Sequence, residues 1–231
     1  MSVVGCTMDG MTRDAVVKPA RRPRLGQPVL VPFTGTEWEP DGDYDGVEFT
    51  DLDCTRWDAG GAQFLECRLG GLVLDETRLH RARLIDSVLT APRGVGTDLA
   101  GATLRDTEVV DARLGGVQLY GAGLERVVIR GGKIDYLNLR QARLRDVVFE
   151  SVVLVEPDFA GAVWERVEFH DCTVREADFH AARMTDVDLR GASGLEDARG
   201  IGGLRGAVIS PAQLLDLSWR FAAELGVRVT G

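Results

Sequence analysis

The sequence predicts an all-β solenoid made of square twenty-residue coils and closed at its far end by an α-helix. Three observations predict it. Apolar residues recur every five positions, charge is excluded from two positions of each five, and one helix with clear start and stop signals follows the last repeat.

The period is plainest in GGKIDYLNLRQARLRDVVFE (131–150), where Ile134, Leu139, Leu144 and Phe149 fall five apart. A strand facing water repeats every two residues and an amphipathic helix every 3.6, so neither fits. From Phe49 to Gly194 every residue numbered in 4 or 9 keeps this phase, thirty positions without a charged or amide side chain. Two residues before each stands a small or apolar residue such as Ala82, Val127 or Cys172, with Thr77, Ser87, Thr97 and Thr107 as short polar exceptions. The other three positions of each five hold all 26 acidic and 18 basic residues between Val47 and Glu196. Chance would leave both positions clean with odds on the order of one in 10^10, and the cost of burying unpaired charge is the physical reason.

Each five therefore supplies one large inward residue, one small inward residue and three outward ones. A chain that turns a corner every five residues and closes after four corners makes a coil of twenty. Coils stack at about 4.8 Å with main-chain hydrogen bonds between them. Thirty pentapeptides predict 7.5 coils, a stack of about 36 Å. The weakest pentapeptide is PRGVG (92–96), where Gly94 stands in place of a leucine and a local bulge without an inserted loop is expected.

Residues 1–46 are out of phase. They are expected to form an N-terminal tail and lead-in, flexible over the first twenty or so, with KPARRPR (18–24) solvated and VLVPF (29–33) along the edge of the first coil. Residues 47–196 form the repeat, and 197–231 a linker and helix. In SPAQLLDLSWRFAAELG (210–226), Ser210 is the expected N-cap, Pro211 the first helical residue and Gly226 the stop. Leu214, Leu217, Phe221 and Leu225 make one apolar stripe, with Leu215, Trp219 and Ala222 beside it. An open coil end exposes apolar residues and strand edges, so a capping role is expected.

AGATLRD (100–106), VDARLGG (110–116), ARLRD (142–146), EADFHAARM (176–184) and VDLRGA (187–192) resemble the A(D/N)LXX pattern of pentapeptide-repeat proteins, over residues 47–196. The resemblance implies a right-handed quadrilateral β-helix. Some members bind DNA gyrase or topoisomerase IV by imitating DNA, and so inhibit the enzyme or protect it from fluoroquinolones and other poisons. Relatives also dimerise end to end through the C-terminal segment. The helix residues Leu214, Leu217, Trp219, Phe221 and Leu225 are thus candidates for a cap or a homodimer contact.

Of the 231 residues 45% are hydrophobic and 6% aromatic, and the net charge is −9 with a pI near 4.9. That balance disfavours direct nucleic-acid binding. With no apolar run of 18 residues and no signal-peptide layout, a cytoplasmic chain without membrane contact is expected. Cys6, Cys54, Cys67 and Cys172 show no CxxC pair, which points to reduced thiols. His80 and His180 are five coils apart, about 24 Å, too far to share a metal. Cys172 points inward beside outward His170 and Asp171. No GxSxG is present, and GIGGLRG (200–206), without a βαβ unit, is expected to be a linker. No catalytic, cofactor or metal site is expected.

The outward charges differ between faces. One face carries Glu48, Asp51, Glu108, Asp111, Glu150, Glu168, Asp171 and Asp188 against Arg68, Arg130 and Arg190, net −5. It is the candidate partner-binding face. A second, balanced face carries Asp86, Asp106, Arg126, Asp146, Arg166 and Asp186 at equivalent positions, which predicts a structural salt-bridge ladder. The expected function is a rigid, non-catalytic protein-binding scaffold. The alternative is a DNA-mimicking regulator of gyrase or topoisomerase IV. Duplex DNA carries roughly 21 charges over that length, about four times the net charge of the acidic face.

Overall fold

The computed structural model describes residues 17–230; residues 1–16, which include Cys6 and most of the expected tail, lie outside them. The physical origin of the five-residue period is the corner. All thirty residues numbered in 1 or 6 from Asp41 to Asp186 have a positive φ, between 49° and 75°. Nine of these are glycine, and the other 21 hold a left-handed conformation that costs about 1–2 kcal/mol each. The stack offsets that cost along most of its length, because corner N–H groups find carbonyls on the next coil. Asp51 N–H donates to Gly70 O at 2.8 Å, and Glu66 N–H to Ile85 O at 2.9 Å.

The strands between corners pair in parallel with their equivalents twenty residues away. Leu124 faces both Leu104 and Leu144, and Phe149 faces Phe169. This register runs from Asp43 opposite Gln63 to Val187 opposite Ala207. The solenoid has about nine turns instead of 7.5. It is longer because Tyr44 already faces Phe64 at the start, and Leu195, Ile201 and Leu204 are buried at the end. GIGGLRG is accordingly part of the last coil and not a linker: Ile201–Leu204 is a 3-10 turn. Gly203 is required there, since a Cβ would lie 1.9 Å from Phe179 O. No bulge forms at Gly94. Its strand, Arg93–Val95, keeps the twenty-residue register, and the chain runs so close to Leu74 that a Cβ would sit 2.7 Å from that residue's carbonyl carbon.

The two inward sets make the core. Phe49, Phe64, Leu139, Phe149, Phe159 and Trp164 are all buried. Aromatic rings at equivalent positions stack, Phe149 on Phe169 at 4.6 Å and Phe159 on Phe179 at 5.4 Å. The hydroxyl exceptions are satisfied by main-chain carbonyls: Thr77 donates to Cys54 O and Thr97 to Leu74 O, both at 2.8 Å.

Both ends are closed. At the first coil Val31–Pro32 pairs in parallel with Val47 and Glu48. Above it Trp38 packs edge-on against Phe49, Trp57 and Phe64. At the last coil lies α1, Pro211–Glu224, which Ser210 and Gln213 open with a reciprocal capping box. The Gln213 amide also donates to Leu189 O at 2.8 Å and Ala192 O at 2.5 Å, which ties the start of the helix to the main chain of the last coil.

Candidate interaction surface

Corner residues twenty positions apart stand above one another, so the corner type decides which side chains form columns. One column reads Glu66, Asp86, Asp106, Arg126, Asp146, Arg166, Asp186. Within it Arg126 Nε and Nη2 each donate to Asp106 at 2.7 Å. Arg166 grips Asp146 in the same way at 2.6 and 2.9 Å. The expected ladder therefore forms as two bidentate pairs, each arginine reaching back one coil.

These pairs are not the exposed bridges expected from an open face. Asp146 is 1% exposed and Asp106 9%. What covers them is the chain's own basic segment. Residues 18–26, hereafter the strap, run down the column toward the first coil. The main-chain N–H groups of Lys18, Arg21 and Arg24 donate to Oδ1 of Asp186, Asp146 and Asp106, at 3.4, 3.0 and 3.4 Å. Ala20 N–H donates to Glu168 at 2.7 Å, and Arg22 pairs with Glu150. The Arg68 guanidinium donates to Gly26 O at 3.0 Å. The part of the expected flexible tail that falls on residues 17–20, and the expected solvated patch at 18–24, are thus seated on the solenoid.

The strap explains two further observations. Val128 and Val148 occupy outward positions, yet both are only 1% exposed. Strap bonds to Asp146 on one side and Glu150 on the other bracket Val148. The carboxylates also feel their partners. Arg126 holds Asp106 below the usual carboxylate range, with Arg24 N–H adding to the effect. For Asp146 burial acts upward, but Arg166 and Arg21 N–H together outweigh it and the net shift is down. Asp86 moves the other way, raised by burial and by the charge of Asp106.

The eight acids of the candidate face separate into two groups. Glu150 binds Arg22 and Arg130, Glu168 binds Ala20 N–H and His170, and Asp188 binds Arg190. Glu48, Asp51, Glu108, Asp111 and Asp171 make no ion pair or side-chain hydrogen bond among the described residues. Glu48 with Asp51 and Glu108 with Asp111 repeat after sixty residues, three coils or about 14 Å. Glu168 and Asp171 continue that spacing.

On α1 the expected stripe is divided. Leu217 is buried and Phe221 half-buried against the last coil, while Leu214, Leu215, Trp219 and Leu225 are 49–79% exposed. The helix lies along the coil end from Gln213, which donates to Leu189 O, to Arg220, which donates to Glu196 O, so one side is covered and the other faces solvent. No group of three or more His, Cys, Asp or Glu able to hold a metal occurs among the described residues. No described helix is long and apolar enough to cross a membrane.

The model of the pentapeptide repeat family matches residues 154–191 with eight copies. The chain carries pentapeptide repeats, and the same corner conformation extends them from residue 41 to 186. No curated protein matches the chain. Among solved structures, full-length QnrB1, described as a plasmid-mediated fluoroquinolone resistance protein, is 15% identical with a TM-score of 0.46. That match covers 84% of this chain and 97% of that one. A trypsin-treated variant of the same protein is 18% identical with a TM-score of 0.41, covering 88% and 98%. Neither likeness is close enough to bear on function.

Proposed function

We propose that the chain is a rigid, non-catalytic scaffold that binds a protein partner through Glu48, Asp51, Glu108, Asp111 and Asp171. The observation carrying this reading is that these five acids, alone among the eight on their face, make no ion pair or side-chain hydrogen bond among the described residues, although Arg130 feels the charge of Glu108. Charges held on a stiff stack lose little conformational freedom on binding, which favours recognition of a basic protein surface. The exposed Leu214, Leu215, Trp219 and Leu225 supply a second surface, which in this reading joins two copies end to end.

The alternative, a DNA-mimicking regulator of gyrase or topoisomerase IV, uses the same acids, and their regular three-coil spacing favours it. The four strap cations on the adjoining edge act against it by lowering the local negative potential.

One pair of measurements separates the two. Purified full-length protein is titrated into gyrase and topoisomerase IV supercoiling and relaxation assays, with and without a fluoroquinolone. A parallel capture experiment uses Glu108→Lys/Asp111→Lys as its control. Inhibition or drug protection that the double variant loses selects the DNA mimic. No enzyme effect, with a captured partner that the variant loses, selects the scaffold. Partners captured equally by the variant would overturn the assignment of this face.

A further inference from the structure

The strap is an extended peptide already seated on the solenoid, and its fit is periodic. Successive donors are three residues apart, while their acceptors are forty residues, or two coils, apart. Two coil spacings are about 9.6 Å, and three residues of polyproline II rise about 9.3 Å. Six strap residues therefore descend four coils without losing register. A strand would present every second N–H to one side; only a threefold repeat presents Lys18, Arg21 and Arg24 together. Pro19 and Pro23, which have no N–H to donate, occupy other positions of that repeat.

The receiving edge is built in advance. Arg126 and Arg166 fix the Asp106 and Asp146 carboxylates from within the column. Val128 and Val148 form an apolar floor. Before strand pairing begins at Val31, the strap's contacts with the solenoid use side chains for at least one partner, so another peptide of the same chemistry can replace each of them.

We propose that the Asp106–Asp146–Asp186 edge is a recognition track for an extended arginine- and proline-containing segment of a partner protein. Residues 18–26 fill it in cis, and the partner's segment displaces them. The track is distinct from the five uncovered acids and does not depend on what those bind. Because the strap is tethered at Val31, it competes at an effective concentration on the order of millimolar. For a peptide that binds the vacant track at about 10 μM, the occupied track is then about 100-fold weaker.

The test uses the full chain and a fluorescent peptide copying residues 17–28, followed by anisotropy. In the chain carrying Arg21→Glu, Arg22→Glu and Arg24→Glu the strap no longer fits its acids. That variant is expected to bind one peptide, about 100-fold more tightly than the wild type does. Adding Asp106→Asn and Asp146→Asn should remove the gain. A permuted peptide, with its prolines moved onto the three donor positions, should bind at least tenfold more weakly. No binding by the triple variant at an unchanged melting temperature, or equal binding of the permuted peptide, overturns the proposal. Hydrogen exchange on the wild type gives an independent reading if the triple variant fails to fold. The Ala20, Arg21 and Arg24 amides should exchange by local opening, faster when unlabelled peptide is in excess. Exchange only through global unfolding also overturns the proposal.

Discussion

The main-chain N–H of Arg21 donates to Asp146 Oδ1 at 3.0 Å, joining residues 125 positions apart. The same oxygen accepts from Arg166 Nε at 2.6 Å. One carboxylate thus ties the strap to one coil and that coil to the next. Asp146→Asn removes the charge from a buried pair and leaves Arg166 with Glu165 as its one remaining anion among the described residues. The expected cost is about 2–4 kcal/mol, with faster exchange of the Arg21 amide. Denaturant unfolding and amide exchange measure the two effects, and a loss below about 0.5 kcal/mol would mean that the pair is exposed in solution.

The lowered pKa values of Asp106 and Asp146 fix the sign of the acid response. A carboxyl whose folded pKa lies below its ordinary 3.8 adds stability above that pH, and the contribution disappears as pH falls through the folded value. Melting temperature should hold steady from about pH 7 to 5 and drop below about pH 4, less steeply in Asp106→Asn/Asp146→Asn. Asp86, shifted upward, has the opposite sign: ionised at pH 7 it opposes folding, so Asp86→Asn should raise the neutral melting temperature. An acid response unchanged in the double variant would place the responsible groups elsewhere.

Two glycines separate the cost of corner conformation from the cost of space. Gly121 has φ 65° with nothing within 4 Å of a built Cβ. Gly132 has φ 77°, and its Cβ would lie 2.1 Å from Ala112 O. Gly121→Ala should cost about 1 kcal/mol, the left-handed penalty alone. Gly132→Ala should cost several times more, because backbone has to move. Equal effects in thermal melts would contradict the coil spacing.

The two sides of α1 should respond differently. Leu217→Asp places a charge beneath the cap and should lower stability by several kcal/mol. Leu215→Asp with Trp219→Asp changes exposed residues and should alter stability by about 0.5 kcal/mol or less. If two copies meet through this surface, light scattering will show a dimer for the wild type and a monomer for the exposed-side variant. A dimer in both would place the interface elsewhere.

The sequence alone determined the coil, because inward and outward positions are decided within five neighbouring residues and buried charge is costly at every one of them. Phe49, Leu139 and Phe149 are therefore buried where the period places them. It also marked Ser210 and Pro211 as the start of α1, since a helix cap is local, whereas the reciprocal bond from Gln213 was seen only in the structure. The helix side that meets the coil was not legible: Leu214 and Leu217 look alike in the stripe, and only the seating of the helix through Gln213 and Arg220 separates them. Nor was the strap. A run of four cations and two prolines has the composition of a solvated tail, and its acceptors lie 82 to 168 residues away. Its signal, a spacing of three against a spacing of forty, has meaning only once the coils are stacked. Stacking sets the distance between Asp106, Asp146 and Asp186, and that distance is what the three-residue rise of the strap matches.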